Sequence, residues 1–414
     1  MPESARFCGQ CGHRVATSKA MEATESIAQA SAHRPETQGR AKLLLGLAGL
    51  IAVLAGLGVG AMLLLRADTS AIPAQVTATV TVGGEVSSPV ALPDGAAVYV
   101  TNVGSDDISV IDPTTNQVAV TIPDLDMSGD PVALPDSSMV YVPLWSSEVA
   151  VIQTNDHAVV ARIPVGEHPY HVEVLPDGSA VYVSNSKDGT VAVIDPTTNE
   201  VTATVAVGSG PDAVQALPDG SAVYVVNRAD DTVSVIDPAS NTVVDTIGVG
   251  RRPEHVVALP DSATLYVTSW PDGTLAAIDT ASRAVVSEVA VGLGPDEPLV
   301  APDGSKLYVT VLDEETLSVV DTTTNQVSGT VPVGDTPRAA AILPDGTAIY
   351  VTNLMDGTVS LIETGSDQVV DQPDEAEPAL IAVGAQPGRA AVLLDGSAVY
   401  VANWEDNTVS VIGR

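Results

Sequence analysis

Short runs of alternating apolar and polar residues recur along most of the chain and predict β-strands. One unit reads Leu175-Pro-Asp-Gly-Ser-Ala-Val-Tyr-Val-Ser-Asn185, then Thr190-Val-Ala-Val-Ile-Asp195, then Pro-Thr-Thr-Asn and Val201-Thr-Ala-Thr-Val-Ala-Val207. Val, Ile, Thr and Tyr dominate the runs, while Pro-Asp-Gly and Asp-Pro-Thr-Thr-Asn are turn sequences. The unit therefore predicts four short strands, which we label a to d.

This unit occurs eight times, and one tyrosine marks each copy. The spacings between these tyrosines are 42, 41, 42, 42, 42, 42 and 50 residues; the tyrosines are Tyr99, Tyr141, Tyr182, Tyr224, Tyr266, Tyr308, Tyr350 and Tyr400. Four-stranded units at this period are typical of β-propeller blades, which surround a central channel. An insertion near Gln368–Pro378, rich in Asp and Glu, explains the longest interval.

The two ends of the repeat region predict how the ring closes. The region begins with a d-type strand, Gln75–Val82, and ends with an a-b-c set, Arg389–Ile412. Together these segments complete one blade, and their pairing removes a free sheet edge. We therefore predict an all-β fold, an eight-bladed propeller of four-stranded blades closed by an N-terminal outer strand. A seven-bladed ring, the alternative, would leave one unit unused.

The repeat also resembles a known family. Val98-Tyr-Val-Thr-Asn102 followed by Ser109-Val-Ile-Asp112, repeated with variants, is similar to the YVTN family of β-propeller repeats. The resemblance covers residues 75–414. Copies two, five and six lack the Asn after the tyrosine strand, and copy eight has Leu394-Asp-Gly without the proline. Family members often have seven blades, so the eight-blade prediction rests on the count of units in this chain.

An uncharged apolar run of 23 residues, Leu43–Leu65, precedes the repeats. As a helix it is long enough to cross ~30 Å of hydrocarbon. Six basic residues precede it, whereas Arg66 is followed by no other until Arg162, so the positive-inside rule places the N-terminus in the cytoplasm. We predict a transmembrane helix over 42–66, a single-pass cell-membrane protein, and an extracellular or periplasmic propeller over 67–414. A cleaved signal peptide is the alternative.

The N-terminal segment Cys8-Gly-Gln-Cys11 resembles one knuckle of a zinc ribbon. Zinc in structural sites normally takes four ligands, and a second Cys pair is absent from the sequence, so the site over residues 1–14 is incomplete. Cys8 and Cys11 are the candidate zinc ligands. A site shared by two chains, or a first knuckle upstream, would complete it. Residues 15–41 have the composition of a flexible cytoplasmic tether.

Charge narrows the function classes. The chain carries 52 acidic and 17 basic residues, a net charge of −35, which excludes a nucleic-acid binder. Its 45% hydrophobic residues exclude disorder. Residues 67–414 carry ten basic and 48 acidic side chains, a net charge of −38, and neither cysteine. The acidity therefore belongs to the propeller, which has to be stable without a disulfide.

The loops of the repeat differ in how much they vary. The a–b and c–d turns barely change between copies, whereas the d–a and b–c loops, which share one face of a propeller, vary strongly. We call this the variable face and expect it to bind the partner. The b–c loops of copies two, five and eight begin with Trp145, Trp270 and Trp404. These are either an aromatic rim for a protein or glycan, or packing between blades.

A second candidate site lies at the start of strand a, near the channel. The equivalent position in the eight copies is occupied by Ser88, Asp130, His171, Ala213, His255, Glu297, Ala339 and Arg389, and Tyr170 is adjacent. Two histidines and two carboxylates at a channel mouth can bind a metal ion. The alternative is polar side chains solvated in a channel. We include Asp130, Tyr170, His171, His255 and Glu297 in the candidate ligand-binding face.

These patterns together favour a membrane-anchored extracytoplasmic binding or interaction module at the cell surface or envelope. Its expected partner is a protein or an envelope glycan, and zinc at the knuckle is the expected cofactor. We assign no catalytic residues, because no nucleophile elbow, catalytic triad motif or phosphate loop is found. The alternatives are a lactonase-like or hydrolase-like enzyme with a divalent cation in the channel, and a transmembrane sensor. Propellers host both enzymes and binders, so the fold does not choose.

Overall fold

The computed structural model describes residues 72–370 and 380–413. These residues form eight antiparallel sheets, and each sheet is one blade of a β-propeller. In blades 1 to 7 the strands follow one another outward from the channel in chain order, and in every blade strand a is innermost and strand d is outermost. The predicted eight-bladed fold is therefore confirmed, and the seven-bladed alternative is wrong.

The strands are numbered along the chain, beginning with β1 (Gln75–Thr81). Blade 1 contains β2 (Val86–Ala91), β3 (Val98–Asn102), β4 (Asp107–Asp112) and β5 (Gln117–Ile122). Blade 2 contains β6 (Val132–Ala133), β7 (Met139–Leu144), β8 (Glu148–Gln153) and β9 (Val159–Pro164). Blade 3 contains β10 (Pro169–Val174), β11 (Val181–Asn185), β12 (Thr190–Asp195) and β13 (Glu200–Ala206). Blade 4 contains β14 (Pro211–Ala216), β15 (Val223–Asn227), β16 (Thr232–Asp237) and β17 (Thr242–Gly248).

Blade 5 contains β18 (Pro253–Ala258), β19 (Thr264–Ser269), β20 (Thr274–Asp279) and β21 (Ala284–Ala290). Blade 6 contains β22 (Pro295–Val300), β23 (Lys306–Val311), β24 (Thr316–Asp321) and β25 (Gln326–Pro332). Blade 7 contains β26 (Pro337–Ile342), β27 (Ala348–Asn353), β28 (Thr358–Glu363), β29 (Gln368–Val369) and β30 (Leu380–Ala382). Blade 8 contains β31 (Pro387–Val392), β32 (Ala398–Asn403), β33 (Thr408–Gly413) and β1. Two short 3₁₀ helices lie at Trp270–Asp272 and Leu312–Glu314.

The ring closes through blade 8, where the two ends of the repeat region meet. Strand β1 pairs antiparallel with β33, from Gln75 opposite Gly413 to Thr81 opposite Thr408. The inner strand of this blade, β31, contacts the inner strands of blades 7 and 1. The outer strand of blade 7 is divided, because β29 and β30 both pair with β28 and the acidic insertion lies between them.

Most of the core lies between neighbouring blades rather than within one. Along strands b and c nearly every residue is buried, on both faces of the sheet, because each sheet packs between two others. One cluster joins Tyr182 and Val193 of blade 3 to Val214 and Val223 of blade 4. The eight repeat tyrosines are among the largest fully buried side chains. One aromatic ring per blade therefore fills the wedge between sheets that small aliphatic residues leave open.

The tyrosine hydroxyls link each blade to the next, a role that sequence reasoning missed. Tyr182 Oη donates a hydrogen bond to Asn241 Oδ1 in the c–d turn of the following blade, at 2.9 Å. The same bond is made by four other pairs: Tyr141–Asn199, Tyr266–Asn325, Tyr308–Asp367 and Tyr400–Asn116. Asn241 has a φ of 50°, in the left-handed region that Asn tolerates. Its turn position and its link to the neighbouring blade therefore require the same residue type.

Three predicted segments lie outside the described residues: the knuckle (1–14), the tether (15–41) and the transmembrane helix (42–66). Within residues 72–370 and 380–413, no helix is sufficiently long and apolar to span a membrane.

Candidate functional site

A β-bulge at the start of the inner strand, present in seven of the eight blades, positions most residues of the channel mouth. In blade 3, Pro169 pairs with Asn185 and Val172 pairs with Val183, so strand β10 has one extra residue between these pairs. Inner strands of six other blades shift register at the same place. A bulge re-aims side chains. The consecutive bulge residues, Tyr170 and His171 in blade 3, therefore both reach the channel mouth.

The residue two positions after the repeat tyrosine holds this bulge in place. Ser184 Oγ accepts a hydrogen bond from the backbone N–H of His171 at 3.0 Å, and Thr268 Oγ1 accepts one from His255 N–H at 3.1 Å. Thr310 does the same for Glu297. Sequence reasoning missed this role. A Ser or Thr that recurs in an otherwise apolar buried strand was the available signal.

Arg389 is the centre of the channel mouth. Its guanidinium lies 3.2 Å from Asp130 Oδ2 and 3.4 Å from Glu297 Oε1. These three residues come from blades 8, 2 and 6, so the ion pairs join blades that are not consecutive. Asp130 most strongly raises the pKa of Arg389, which therefore stays charged. The structure brings two of the predicted carboxylates together, with an arginine between them.

A second ion cluster forms around Asp296, on the bulge of blade 6. Its carboxylate accepts a hydrogen bond from His255 Nε2 at 2.9 Å and lies 3.3 Å from Arg338 Nη1. Burial opposes ionisation, but Arg338 and His255 outweigh it and lower the pKa of Asp296 to about 2. The same carboxylate, against the effect of burial, raises the pKa of His255. His255 is therefore committed to a carboxylate rather than free to bind a metal.

Blades 3 and 4 contribute groups whose charge burial suppresses. Burial lowers the pKa of His171 to about 4, and its Nδ1 accepts a hydrogen bond from Val214 N–H at 3.3 Å. Burial raises the pKa of Glu173 to about 7, although Ala216 N–H donates to its carboxylate at 3.0 Å. Burial also raises the pKa of Asp212 to about 6. At neutral pH the histidine is uncharged, while both acids change charge near that pH.

These groups surround a cavity of about 260 Å³ at the channel mouth. Its polar lining includes Ser88, Asp130, His171, Glu173, Glu297 and Arg389. The sequence pattern did not predict Glu173 at this cavity. It also did not predict Asp212 and Arg338, which lie near the channel mouth. Asp212 and Arg338 occupy the bulge position one residue before the predicted ring. The bulge brings both positions to the mouth, which an alternating pattern does not predict.

The cation site that the enzyme alternative places in the channel is not assembled among the described residues. Among residues 72–370 and 380–413, no group of three or more His, Cys, Asp or Glu side chains could hold a metal ion. The physical reason is that Arg389 lies between Asp130 and Glu297, and Asp296 holds His255. The residues present therefore do not fit a divalent cation held by Asp130, Glu297 and the histidines.

The loops of the variable face have a shared frame beneath their different tips. The backbone N–H of Ser186 in a b–c loop donates to the carbonyl oxygen of His168 in a d–a loop at 3.0 Å, and equivalent bonds recur in other blades. Below them, Asn185 Oδ1 accepts a hydrogen bond from Gly166 N–H at 3.0 Å. A Cβ on Gly166 would lie 2.6 Å from Asn185 Cγ, so this glycine is required for close approach. The two loop sets therefore share one face, with a rigid base.

An aromatic row leads from the rim of this face toward the channel. The Trp145 and His168 ring centroids are 4.3 Å apart, and the rings of His168 and Tyr170 stack at 6.3 Å. Trp145 is 50% exposed, whereas Tyr170 lies where the charges of Asp212, Asp130 and Arg389 reach it. His168 also contacts Ser186 Oγ through a ring nitrogen. The row therefore joins blades 2 and 3, and it links the exposed rim to the cavity.

The other two tryptophans do not join this row. Trp270 begins a 3₁₀ helix in blade 5 and is half-buried, with its Nε1 beside Gly294 of the next blade. Trp404 is half-buried in blade 8, where its backbone N–H donates a hydrogen bond to the carbonyl oxygen of Gln386 at 3.0 Å. Since blades 2, 5 and 8 are spread around the ring, the three indoles do not form one surface. An aromatic contact site made of all three stays a prediction, and Trp145 is the most exposed of them.

The fold and site define an eight-bladed β-propeller with a charged cavity at one end of its channel. A family model described as a YNCE-like beta-propeller matches residues 211–313, which agrees with the predicted propeller. The chain is similar in structure to "Kuenenia stuttgartiensis Hydrazine Synthase" (20% identity, TM-score 0.55, covering 69% of this chain and 94% of that chain). It is also similar to "Dihydro-heme d1 dehydrogenase NirN in complex with DHE" (17% identity, TM-score 0.62, covering 80% of this chain and 74% of that chain). At these identities the likeness shows the fold alone. The comparison with curated proteins finds no match.

Proposed function

We propose that the chain is a membrane-anchored, extracytoplasmic YVTN-type propeller that acts as a binding module and holds its partner on the variable face. The aromatic row of Trp145, His168 and Tyr170 is the observation that carries the proposal. Exposed aromatic side chains on a rigid base are typical anchors for a partner. The hydrogen-bonded loop frame beneath the row limits the entropy lost on binding.

Other exposed apolar residues are on the same face. Leu293 is 59% exposed and Met355 is 58% exposed, on a d–a loop and a b–c loop respectively. Val103 begins another b–c loop and is also exposed. On the opposite face, made of the a–b and c–d turns, Leu394 is the exposed large apolar residue among those described. Of the two loop faces, the variable face therefore has more of the exposed large apolar residues, which supports a contact role for it.

The surrounding charge favours a neutral glycan as the partner. Residues 67–414 carry a net charge of −38, which repels a polyanionic polymer. The flat indole of Trp145 offers apolar area with a hydrogen-bonding edge, which suits the mixed apolar and hydroxylated surface of a sugar ring. Both features fit a neutral envelope glycan better than an acidic glycan. A protein partner is the competing outcome.

The membrane anchor and the knuckle belong to the same proposal. A helix over 42–66 would keep the propeller at the envelope, with Cys8 and Cys11 inside the cell and zinc as their candidate ligand. Because the chain has two cysteines, a membrane-impermeant maleimide reports their side directly. We expect labelling only after the cells are permeabilised. Labelling of intact cells would contradict the topology, and labelling that changes when a ligand is added would favour the sensor alternative.

The binding test uses the full chain in detergent micelles with neutral and anionic oligosaccharides. The neutral probes are N-acetylglucosamine hexamer and cellohexaose, and the anionic probe is a polyguluronate hexamer. We expect calorimetry to detect binding of a neutral probe, weakened about tenfold or more by Trp145→Ala, as for an aromatic anchor. Trp404→Ala is the matched control, because it removes the equivalent residue of blade 8 away from the row, and we expect little change.

Three results would contradict this function. One is unchanged affinity in Trp145→Ala, and another is equal affinity for the anionic probe. The third is no binding of either neutral oligomer, which would remove the glycan and leave the protein partner as the remaining class.

Catalysis is the second candidate function. Both similar solved structures have enzyme names, and burial raises the pKa of Glu173 to about 7, a value suited to general acid–base chemistry. If the channel hydrolyses esters, the full chain should open δ-valerolactone faster than buffer does, and Glu173→Gln should abolish the difference. A rate equal to that of buffer argues against a lactonase.

A further inference from the structure

The cavity at the channel mouth has the size and charge of a site for a small molecule. Its volume of about 260 Å³ is near the lower end of the range found for ligand pockets. It is lined on one side by the ion cluster of Arg389 and on another by apolar residues such as Val90, Val132 and Val172. A compact, charged ligand with a short apolar part therefore suits this space.

The ion pairs inside the cavity are long and partly exposed to solvent. Arg389 lies 3.2 Å from Asp130 and 3.4 Å from Glu297, longer than the ~2.8 Å of a tight charge-assisted hydrogen bond. About a third of the Arg389 side chain stays exposed, and the two carboxylate side chains are partly exposed as well. All three groups therefore retain hydrogen-bonding capacity toward a molecule in the cavity.

The charges of this cluster select the ligand class. A simple anion that takes Arg389 leaves Asp130 and Glu297 without their cation, and a simple cation that takes the carboxylates leaves Arg389 without its anions. A desolvated charge without a partner is costly. A ligand with one group of each sign supplies both partners at once. We propose that the channel mouth binds a small zwitterion, such as a free α-amino acid, with its carboxylate on Arg389 and its ammonium on Asp130 or Glu297, so that the ligand replaces one of the two ion pairs.

The neighbouring groups agree with this assignment. His171 is neutral, because burial lowers its pKa to about 4, and so it does not repel an ammonium group. Ser88 and Glu173 add an oxygen acceptor each at the cavity wall. The apolar wall offers contact for a small aliphatic side chain. This site goes beyond the proposed glycan contact, because its charged residues are not members of the aromatic row.

The experiment measures binding of defined zwitterions to the full chain in detergent micelles. The probes are glycine, L-alanine, L-valine and L-glutamine, each by equilibrium dialysis. N-acetyl-L-alanine lacks the ammonium group and L-alanine methyl ester lacks the carboxylate. We expect at least one amino acid to bind, and both L-alanine derivatives to bind at least about tenfold more weakly than L-alanine.

Variants locate the site. Arg389→Gln and Glu297→Gln should each weaken binding about tenfold or more. Arg283→Gln on the opposite face is the control that matches Arg389→Gln in its change of charge. Glu297→Gln is nearly isosteric, so it remains informative if Arg389→Gln does not fold in a thermal melt. Failure of all four amino acids to bind overturns the proposal, and so does equal binding of the two derivatives or unchanged binding in Glu297→Gln. Since Trp145→Ala tests the glycan contact separately, either inference can fail without the other.

Discussion

The two faces of the propeller are built by different rules. We call the face formed by the a–b and c–d turns the turn face. There, each turn repeats the same local bonds: Asp177 Oδ1 accepts from Ser179 N–H at 2.9 Å, and Asp195 Oδ1 accepts from Thr197 N–H at 2.8 Å. On the variable face, the base repeats and the tips do not, so Leu293 has no equivalent leucine in the other d–a loops. Because repeated hydrogen bonds stabilise the base of this face, the residues at the loop tips can differ from blade to blade.

The difference also appears in the ionisation of acids. On the turn face, hydrogen bonds from Ser179 hold the pKa of Asp177 below its usual value. In the channel, burial raises the pKa of Glu173 to about 7. Acids on the turn face therefore favour the folded state when charged, while the buried acid favours it when protonated. The sign of the pKa shift thus separates Asp177 on the turn face from Glu173 in the channel.

The largest expected effect comes from the tyrosine that joins core and turn face. Tyr182→Ala should lower the free energy of unfolding by about 3–5 kcal/mol, because it leaves a cavity between blades 3 and 4. Tyr182→Phe keeps the ring and loses only the bond to Asn241, so it should cost about 0.5–1.5 kcal/mol. Chemical denaturation measures both. A Tyr182→Ala protein within about 1 kcal/mol of wild type would show that the inter-blade ring does not carry the stability we assign to it.

The next effect tests the base of the variable face. Gly166→Ala forces a Cβ to within 2.6 Å of Asn185 Cγ and of Asp188 Oδ2, so it should cost about 1–3 kcal/mol as an overpacked site. Gly329→Ala, in strand β25, is the control, because a Cβ there meets nothing within 4 Å. We expect the control to be neutral or slightly stabilising in the same denaturation experiment. Equal effects at the two glycines would show that close packing of Gly166 against Asn185 does not stabilise the base of the variable face.

The third effect is a difference between Glu173 and Asp177 in how their contributions to the free energy of unfolding depend on pH. Because folding raises the pKa of Glu173 from about 4.5 to about 7, its cost to stability is absent below pH 4.5 and grows as the pH rises to 7. Glu173→Gln should therefore stabilise the protein by about 1–3 kcal/mol at pH 8 and leave it unchanged at pH 4.5. Thermal melts across this range measure the difference.

The control acid should behave in the opposite way. The folded-state pKa of Asp177 is lowered, so its stabilising contribution is present above the unfolded value of 3.8 and is lost as the pH falls. Asp177→Asn should therefore destabilise at pH 8 and have less effect at acid pH. If both substitutions gave the same sign at pH 8, the distinction between the two kinds of acid would be incorrect.

The smallest expected effect is a gain in stability at the c–d turn of blade 5. Blade 5 has Arg283 at the turn position where most blades place Asn, with a φ of 53°, opposite Tyr224. Arg283→Asn should relieve the backbone and offer Tyr224 Oη an acceptor, which should raise the free energy of unfolding by about 0.5–1.5 kcal/mol. Arg283→Ala, which provides neither benefit, is the matched control. A loss of stability in Arg283→Asn would show that the link depends on more than the turn residue.

Much of the fold could be predicted because the repeat is local. The strand boundaries follow from period-2 runs and turn residues, and the closure follows from the unpaired d-type strand at Gln75–Val82. Blade 2 departs from the repeat. Its inner strand has only two residues, Val132 and Ala133, and Gly129 packs against the carbonyl oxygen of Tyr170. The spacing of 41 was the available signal of this irregularity.

The candidate site was only partly predictable. The ring position at the start of strand a correctly placed Asp130, His171 and Glu297 near the channel, and the cavity forms there. The partners of these residues could not be read from the sequence, because Arg389 is 92 residues from Glu297 and further still from Asp130. The metal site of the enzyme alternative is not assembled for the same reason, since an arginine from blade 8 supplies the cation.

The amino-acid sequence by itself determined the strands, the number of blades, the closing strand and the face that varies. These properties depend on short-range alternation, turn chemistry and counting, which act over a few residues or repeat along the chain. Only the tertiary structure decided which charges meet. Ring closure brings the inner strands of blades 2, 6 and 8 around one channel, and the bulges of blades 6 and 8 each point two consecutive residues at its mouth. The energy of a charge depends on its neighbours in space, which no local pattern specifies.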